Sequence, residues 1–492
     1  LKPLDASPFV SSVDSGNFVA SLYTLLAGAQ EALQSPLLTR QHFAGMRACC
    51  QLALAHAPRL KQGEGLALPA ATANMTEWIA WLPGAESALA AAVQNTTEPG
   101  DHWWRTETLR RISSTLELIR DYMPWMQSEY APLRDMLQPA LGEEAGMLSV
   151  QEAIAFSEGL DARLKRAWAA ITERTPHHAL GEQLRASLPV AQQNLHTLAA
   201  QLRSIQEDAE LLAEDTEFTF LIEPNRQMLS IGYDTGTHKL HESCYDVLAS
   251  EARVAAFLAI ARGELPQLSW FKLARQHTRA FGHYLLLSWT GTMFEYLMPA
   301  LWMRTFPDTL LTRSQAACVS VQRAFARSLG IPWGISESGC ARKDEAGHYG
   351  YHAYGVPETA LSFQATAGPV VSPYSTFLAL SVDARDAMRN LRQMEAAGWT
   401  GPFGFYEAAD YTASTQSPVL VREWMAHHQG MSLLAIVNLL CGNAVQRWFH
   451  ANPLVRSTEL LLHELPARKG VLRAGFKEFA PIAHQRTAQN AS

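Results

Sequence analysis

PWGISESG occupies residues 332–339, and a close echo of it, PFGFYEAAD, occupies 402–410. Both read Pro, aromatic, Gly, two residues, Glu: Pro332-Trp333-Gly334-Ile335-Ser336-Glu337 and Pro402-Phe403-Gly404-Phe405-Tyr406-Glu407, 70 positions apart (407 − 337). In a chain patterned mostly as helices, the echo points to a repeated helical hairpin, whose equivalent loops lie at the same end of a barrel. Each loop then carries a carboxylate three residues beyond a glycine, among aromatic rings. The expected fold is all-α: many antiparallel helices in an α/α arrangement, with aromatic-rich loops on the connections.

The helical patterning is plainest over residues 1–215. Apolar residues recur at three and four, as in LLAGAQEALQ (25–34) and LELIRDYMPWM (116–126), between short breaks such as QSP, HAP, EPGD and ERTPHH. The pattern changes at EFTFLIEPNRQMLSIGY (217–233), where Phe218, Phe220 and Ile222 alternate with polar residues and EPNRQ supplies a turn. That stretch reads as the one clear β-hairpin, and 216–240 as a hairpin linker. Helical patterning resumes across 241–475, the region expected to carry function, and 476–492 reads as a tail, with poor order expected from Ala467 onward.

Composition narrows the function. Of 492 residues 48% are apolar and 18% charged, and the formal net charge of −7 comes without a long run of one sign, so nothing calls for nucleic acid. The six cysteines form no C-x-x-C pair, which suits free thiols in a reducing compartment. Leu1 stands where Met would, and no signal segment precedes SPFVSSVDSGN, so the chain is expected to be a piece of something longer. YLLLSWTGTMFEYLMPALWM (284–303) is long and apolar, yet it contains Glu295 and Pro299. A carboxylate at bilayer centre costs roughly 2.5–3.5 kcal/mol, so the segment is expected to be a buried helix rather than a membrane span.

Several carboxylates sit where a charge is expensive. In YDVLASEARVAAFLAIARGE (245–264), a helix would align Val247, Glu251, Val254 and Leu258 on one face, so Glu251 interrupts an apolar stripe. It either pairs with an arginine such as Arg253 or faces a cleft. On the next apolar segment, Ser288, Thr292 and Glu295 would share a polar face, as a buried network or the wall of a wet cleft. Glu337 follows Trp333 and Gly334 as a loop acid or an acceptor at a helix start. Glu407 and Asp410 lie between Phe405, Tyr406 and Tyr411, as helix-start acids or as part of a site. Together, carboxylates and rings are what a carbohydrate site requires: one acid protonates the leaving oxygen, another attacks or activates water, and rings stack on sugar faces. Trp103, Trp104, Trp270, Trp289, Trp302, Trp333 and Trp424 supply rings in number. No H-E-x-x-H, G-x-x-x-x-G-K-[ST] or G-x-S-x-G occurs, and His427 and His428 on a helix point about 100° apart and cannot share one metal. Neither metal nor cofactor is expected.

SSVDSGNFVASL (11–22), YDVLASEARVAAFLAIARGELP (245–266), LLSWTGTMFEYLMPALWMRTFPDTLL (286–311), PWGISES (332–338), GFYEAADYT (404–412), MAHHQGMSLLAIVNLL (425–440) and RWFHANPLVRSTELLLHE (447–464) together resemble the glucoamylase-like region of bacterial cyclic β-1,2-glucan synthases. The resemblance is dense over 205–465 and looser before it. It implies an (α/α)6-barrel glycoside hydrolase domain, with extra N-terminal helices, related to β-1,2-glucanases. It further implies retaining transglycosylation that cyclises linear β-1,2-glucan, within a larger synthase at the cytoplasmic side of the bacterial inner membrane. Carried over by motif, the SEAR glutamate, Glu251, becomes the acid/base and the GISES glutamate, Glu337, the nucleophile, with Glu407 the rival for either role. Substrate binding falls to Tyr406, Glu407, Asp410, Trp333, Glu295, His427, His428, Gln429, Asp14 and Asn17. Glu423-Trp424 departs from the pattern, where a small residue and Tyr are expected, and bears on acceptor preference. Endo-hydrolysis of β-1,2-glucan and a non-catalytic glucan-binding role are the alternatives.

Overall fold

The computed structural model describes residues 9–56, 66–94, 99–136, 146–169, 176–362 and 369–466. The expected tail at 476–492, and the stretch from Ala467 leading into it, lie outside the described residues. Sixteen α-helices are described: α1 (Ser12–Gln34), α2 (Arg40–His56), α3 (Met75–Gln94), α4 (Pro99–Tyr122), α5 (Ala131–Met136), α6 (Val150–Ala169), α7 (Pro176–Asp215), α8 (Arg253–Ala261), α9 (Leu268–Lys272), α10 (Met293–Leu297), α11 (Leu310–Leu329), α12 (Pro373–Leu378), α13 (Leu380–Ala396), α14 (Ala426–Leu440), α15 (Ala444–Phe449) and α16 (Pro453–Thr458). Contacts divide the chain into two compact units, residues 25–214 and residues 1–24 with 215–492. The boundary falls inside α1, so its first turns go with the C-terminal part of the chain.

Among its described residues the 25–214 unit is built of helices, with one isolated bridge between Pro36 and Ser149, and its helix starts are written locally. Asn74 and Glu77, like Ser149 and Glu152, exchange side-chain and backbone hydrogen bonds in the capping box that opens α3 and α6. Apolar spacing does the rest: α7 buries Leu184, Leu188, Ala191, Leu195 and Ala199 along one stripe. These close on a core that includes Phe43, Trp78, Leu82, Ile112 and Trp125.

The other unit mixes helices with short strands. Helices α10 to α15 pack on one another, and α8 packs on α16. α11 is a typical case: Thr309 caps its start, Leu310, Ala317, Cys318 and Val321 turn inward, and Gly330 at φ +71° ends it in the left-handed conformation. Near its start, α1 meets α8 so closely that a Cβ on Gly16 would lie 2.5 Å from Ala255 Cβ. Residues 9–11 pair with 232–234, which pair in turn with 239–240.

Three local expectations are corrected. The hairpin forms, with Ile222–Glu223 against Met228–Leu229, but Thr219–Leu221 is a 3-10 turn, and it is one of six small sheets among the described residues. The 245–264 segment is not one helix: Val247 bridges Ala274, residues 248–252 turn, and α8 begins only at Arg253. Nor is 284–303 one helix. His283–Leu286 pairs with His277–Ala280, Gly291 stands at φ +74°, and the five-residue α10 starts after Thr292. Among the described residues no helix is long and apolar enough to cross a membrane.

Candidate active site

The two echoed loops meet. Gly334 has φ +121° and Gly404 φ +98°, values that L side chains rarely adopt, so both glycines turn the chain where the sequence placed a breaker. Two buried amides clamp the first loop on either side of Gly334. Asn390 accepts from Trp333 N at 3.2 Å and donates to Trp333 O at 2.8 Å; Gln322 accepts from Ile335 N at 3.0 Å and donates to Ile335 O at 2.9 Å. Each amide satisfies a donor and an acceptor as a neighbouring strand would. Beyond the clamp, Gly339 N donates to Glu407 Oε1 at 3.1 Å, joining the first loop to the carboxylate of the second.

Glu407 is buried and committed. His428 Nδ1 lies 2.8 Å from its Oε1 and 3.0 Å from Oε2, and a carboxylate that only accepts fixes the proton on that nitrogen. Tyr374 stacks on the His428 ring at 3.8 Å and 11°, and its hydroxyl donates to Glu337 O at 2.9 Å while meeting Ser336 Oγ at 2.9 Å. A small cleft beside this pair is lined by Tyr374, Phe377, Phe405, Tyr406, His428 and Gln429, among others. Asp410 is equally committed, accepting from Ala341 N, Thr412 N and Thr412 Oγ1 at 2.8, 2.8 and 2.6 Å.

Glu337 and Glu251 are partly accessible, unlike Glu407, Asp410 and Glu295. Glu251 sits in the turn just before α8, and its Oε2 accepts from Ser250 Oγ at 3.2 Å. Arg253 is not its ion-pair partner: the buried guanidinium donates to Ser250 O, Glu295 O and Tyr296 O at 3.0, 2.9 and 2.7 Å. Burial pushes the Glu251 carboxyl up to about 8, with the Glu295 charge the next cause and Glu337 a lesser one. Glu337 is also raised by burial, but the Tyr351 hydroxyl draws it back, and the His428 and His352 charges act in the same direction against the Glu295 anion. The environments of the two acids thus differ in kind.

Glu295 does not face solvent. Its carboxylate accepts from Ser288 Oγ at 3.0 Å, from Thr290 N and Oγ1 at 3.1 and 2.8 Å, and from Thr292 N and Oγ1 at 2.9 and 3.0 Å, closing a capping box at the start of α10. It is the buried network, not the wall of a cleft. The Trp333 ring is buried as well. Tyr406 is half-buried against Trp424, with ring centroids 5.2 Å apart. His427 is exposed, and Gln429 Nε2 donates to Phe405 O at 3.3 Å. On α1, Asp14 is exposed and its charge is felt at Tyr245, as are those of Glu251 and Glu337. Among the described residues, Asn17 Oδ1 is buried with no hydrogen-bond partner. Glu423 lies close to the joint, its Oε1 2.8 Å from where a Gly339 Cβ would stand. Tyr374, Tyr351, Ser336 and the amides of Gln322 and Asn390 were not foreseen. Ser336 lies next to Glu337 in the opening stretch, but its bonds to Phe294 N and the Tyr374 hydroxyl, like the other four residues, depend on distant parts of the chain.

The glucoamylase family model, Glycoamylase, matches residues 243–453. Over 288 residues, 58% of the chain, the sequence is 37% identical to the cyclic beta-(1,2)-glucan synthase NdvB of Rhizobium meliloti (strain 1021). The match covers 10% of that synthase, so the chain spans only a small part of this relative's length. Among solved structures, a β-1,2-glucanase from Parabacteroides distasonis is similar with a TM-score of 0.35 and 14% identity, over 87% of this chain and 60% of that one. An endo-β-1,2-glucanase from Talaromyces funiculosus, in complex with sophorose, has a TM-score of 0.41 and 12% identity, over 79% of this chain and 78% of that one. Residues 243–453, the stretch that the glucoamylase model matches, hold Glu251, Glu295, Glu337 and Glu407.

Proposed function

We propose that this chain is a retaining transglycosylase of the (α/α)6 kind that cyclises linear β-1,2-glucan, with Glu251 as acid/base and Glu337 as nucleophile. The observation that carries the reading is the asymmetry between the two acids. Glu251 is surrounded by influences that keep its proton on, burial and two anions, as an acid must be. Glu337 is also raised, by burial first, but a tyrosine hydroxyl and two histidines oppose that rise and favour the ionised form that a nucleophile needs. The glucan and its linkage come from the 37%-identical relative, whose name is that of a cyclic β-(1,2)-glucan synthase.

In the first step Glu337 attacks the anomeric carbon while Glu251 gives its proton to the departing glycosidic oxygen, leaving a glycosyl-enzyme ester. In the second, the 2-hydroxyl at the other end of the same glucan attacks that carbon, Glu251 takes the hydroxyl proton, and Glu337 departs. The ring that results weighs what its glycosyl units weigh, one water less than the open chain of the same length. Asn17 Oδ1, buried and unpaired, is an acceptor that a sugar hydroxyl would satisfy. The buried Glu407–His428 pair supports the nucleophile's loop through Gly339 and Tyr374.

The test is incubation of the purified chain with linear β-1,2-glucan, followed by mass. Products one water lighter than the linear glucan of equal length support cyclisation. Linear fragments with new reducing ends would replace it with endo-hydrolysis, and an unchanged substrate would leave a glucan-holding role.

A further inference from the structure

We propose that Glu295 is a positioning residue for this reaction: through the first turn of α10, its buried carboxylate holds together the turn bearing Glu251 and the loop bearing Glu337, and it places a fixed negative charge in the surroundings of both acids. The proposal rests on the roles given above to Glu251 and Glu337.

The geometry makes α10 the hub between the two acids. On one side, Arg253 Nη1 bridges Ser250 O, next to Glu251, and Glu295 O, at 3.0 and 2.9 Å, while its other terminal nitrogen reaches Tyr296 O at 2.7 Å. On the other side, Phe294 N donates to Ser336 Oγ at 3.1 Å and Met293 N to Ile335 O at 3.4 Å, one and two residues before Glu337. A five-residue helix has little stability of its own, so something must fix it. Glu295 does so: its carboxylate gathers Ser288, Thr290 and Thr292, the whole segment that leads into α10.

The same carboxylate is electrostatically placed to matter. Every donor it meets among the described residues is neutral, two are backbone N–H groups that can only donate, and the residue is 4% exposed, so bulk solvent screens it little from its neighbours. The charged or titratable groups around Glu251 are Tyr245, Arg253, Glu295, Glu337 and Tyr351. Those around Glu295 are Glu251, Glu337, Tyr296 and Cys318. Arg253 is the cation of the first set, and its donors are directed at three carbonyls. After burial, Glu295 is the chief reason that Glu251 holds its proton, ahead of Glu337.

The test is Glu295→Gln in the full chain, with the Glu251 carboxyl followed by carbon NMR in glutamate-labelled protein and assigned by its loss in Glu251→Gln. The Glu251 midpoint is expected to move to lower pH by roughly one unit, and the basic limb of the transglycosylation rate should move with it. A folded variant whose Glu251 midpoint stays put overturns the proposal, since a merely structural Glu295 would lower the melting temperature without moving that midpoint. If Glu295→Gln does not fold, Glu337→Gln decides: the Glu251 midpoint should stay well above an ordinary glutamate's because burial and Glu295 both remain, and a return to the ordinary range overturns the proposal. The NMR readout needs no substrate, so failure of the proposed function is separable. A midpoint that moves while the rate profile does not would overturn Glu251 as the acid, and with it the catalytic half of the proposal.

Discussion

Ionising Glu251 is harder in the folded protein than in the unfolded chain, because burial and the Glu295 anion both oppose the charge. Between an ordinary glutamate pKa of about 4.3 and the folded value of about 8, the native state holds a proton that the unfolded chain has released. Stability therefore falls as pH rises through that window, and the penalty is complete above it. Glu251→Gln removes the penalty, so the melting temperature of the variant relative to wild type should rise steadily from pH 5 to pH 8. Over the same change, activity should drop by roughly 10²–10⁴-fold, the worth of a general acid. A melting difference that is flat with pH would mean that Glu251 ionises normally. The sequence marks this residue because a carboxylate among Val247, Val254 and Leu258 is anomalous whatever the backbone does. It could not show the turn, since that depends on Leu248 N and Ala274 N bonding to Ala274 O and Asp246 O, partners no local pattern reveals.

The loops at 332–339 and 402–410 behave as elements in their own right, and their glycines separate two kinds of constraint. Gly404 stands at φ +98° with nothing within 4 Å of a Cβ, so Gly404→Ala meets only backbone strain, about 1–2 kcal/mol. Gly334 stands at φ +121° and a Cβ there would also lie 2.8 Å from Ser375 Oγ and 2.9 Å from Thr376 Oγ1. Gly334→Ala should therefore lower the denaturation midpoint clearly more than Gly404→Ala. It should also cost activity, because the strain falls between the amide clamps that set Glu337. Equal effects in the two variants would argue against that crowding. The spacing Pro-aromatic-Gly-x-x-Glu foretold two turns with a carboxylate after each, and both turns exist. That Glu407 would be taken up by His428 and Gly339 while Glu337 stayed accessible is a tertiary outcome. The short α10 was legible in a different way, since Thr292-x-x-Glu295 is a capping-box spelling, but its apolar surroundings read as one long helix. Gly291, at φ +74° and with a Cβ position 2.6 Å from Val356 O, is what interrupts it.

At the scale of the whole chain, helical composition hides the division into units, because α1 is one unbroken helix whose first turns belong with residues 215–492 and whose remainder belongs with 25–214. No break in periodicity marks that point, and a uniform helical stretch over 1–215 is the natural reading of the pattern. The assignment can be tested by two substitutions of the same chemistry. In α2, Gly45 has nothing within 4 Å of a Cβ, so Gly45→Ala should stabilise by about 0.5–1 kcal/mol through helix propensity alone. In α1, a Cβ on Gly16 would lie 2.5 Å from Ala255 Cβ and 2.7 Å from Ala255 Cα, which leaves no room for relaxation by a flexible side chain. Gly16→Ala should therefore cost about 1–3 kcal/mol, the usual range for overpacking. Because α8 begins two residues after Glu251, and Asp14 and Asn17 share the same turns of α1, that variant should also lose the activity proposed above. Gly45→Ala should not. Thermal melts and rates of both variants give four readings, and the expected pattern is opposite signs in stability with activity lost only in Gly16→Ala. A Gly16→Ala protein as stable and active as wild type would mean that the first turns of α1 do not bear on the site.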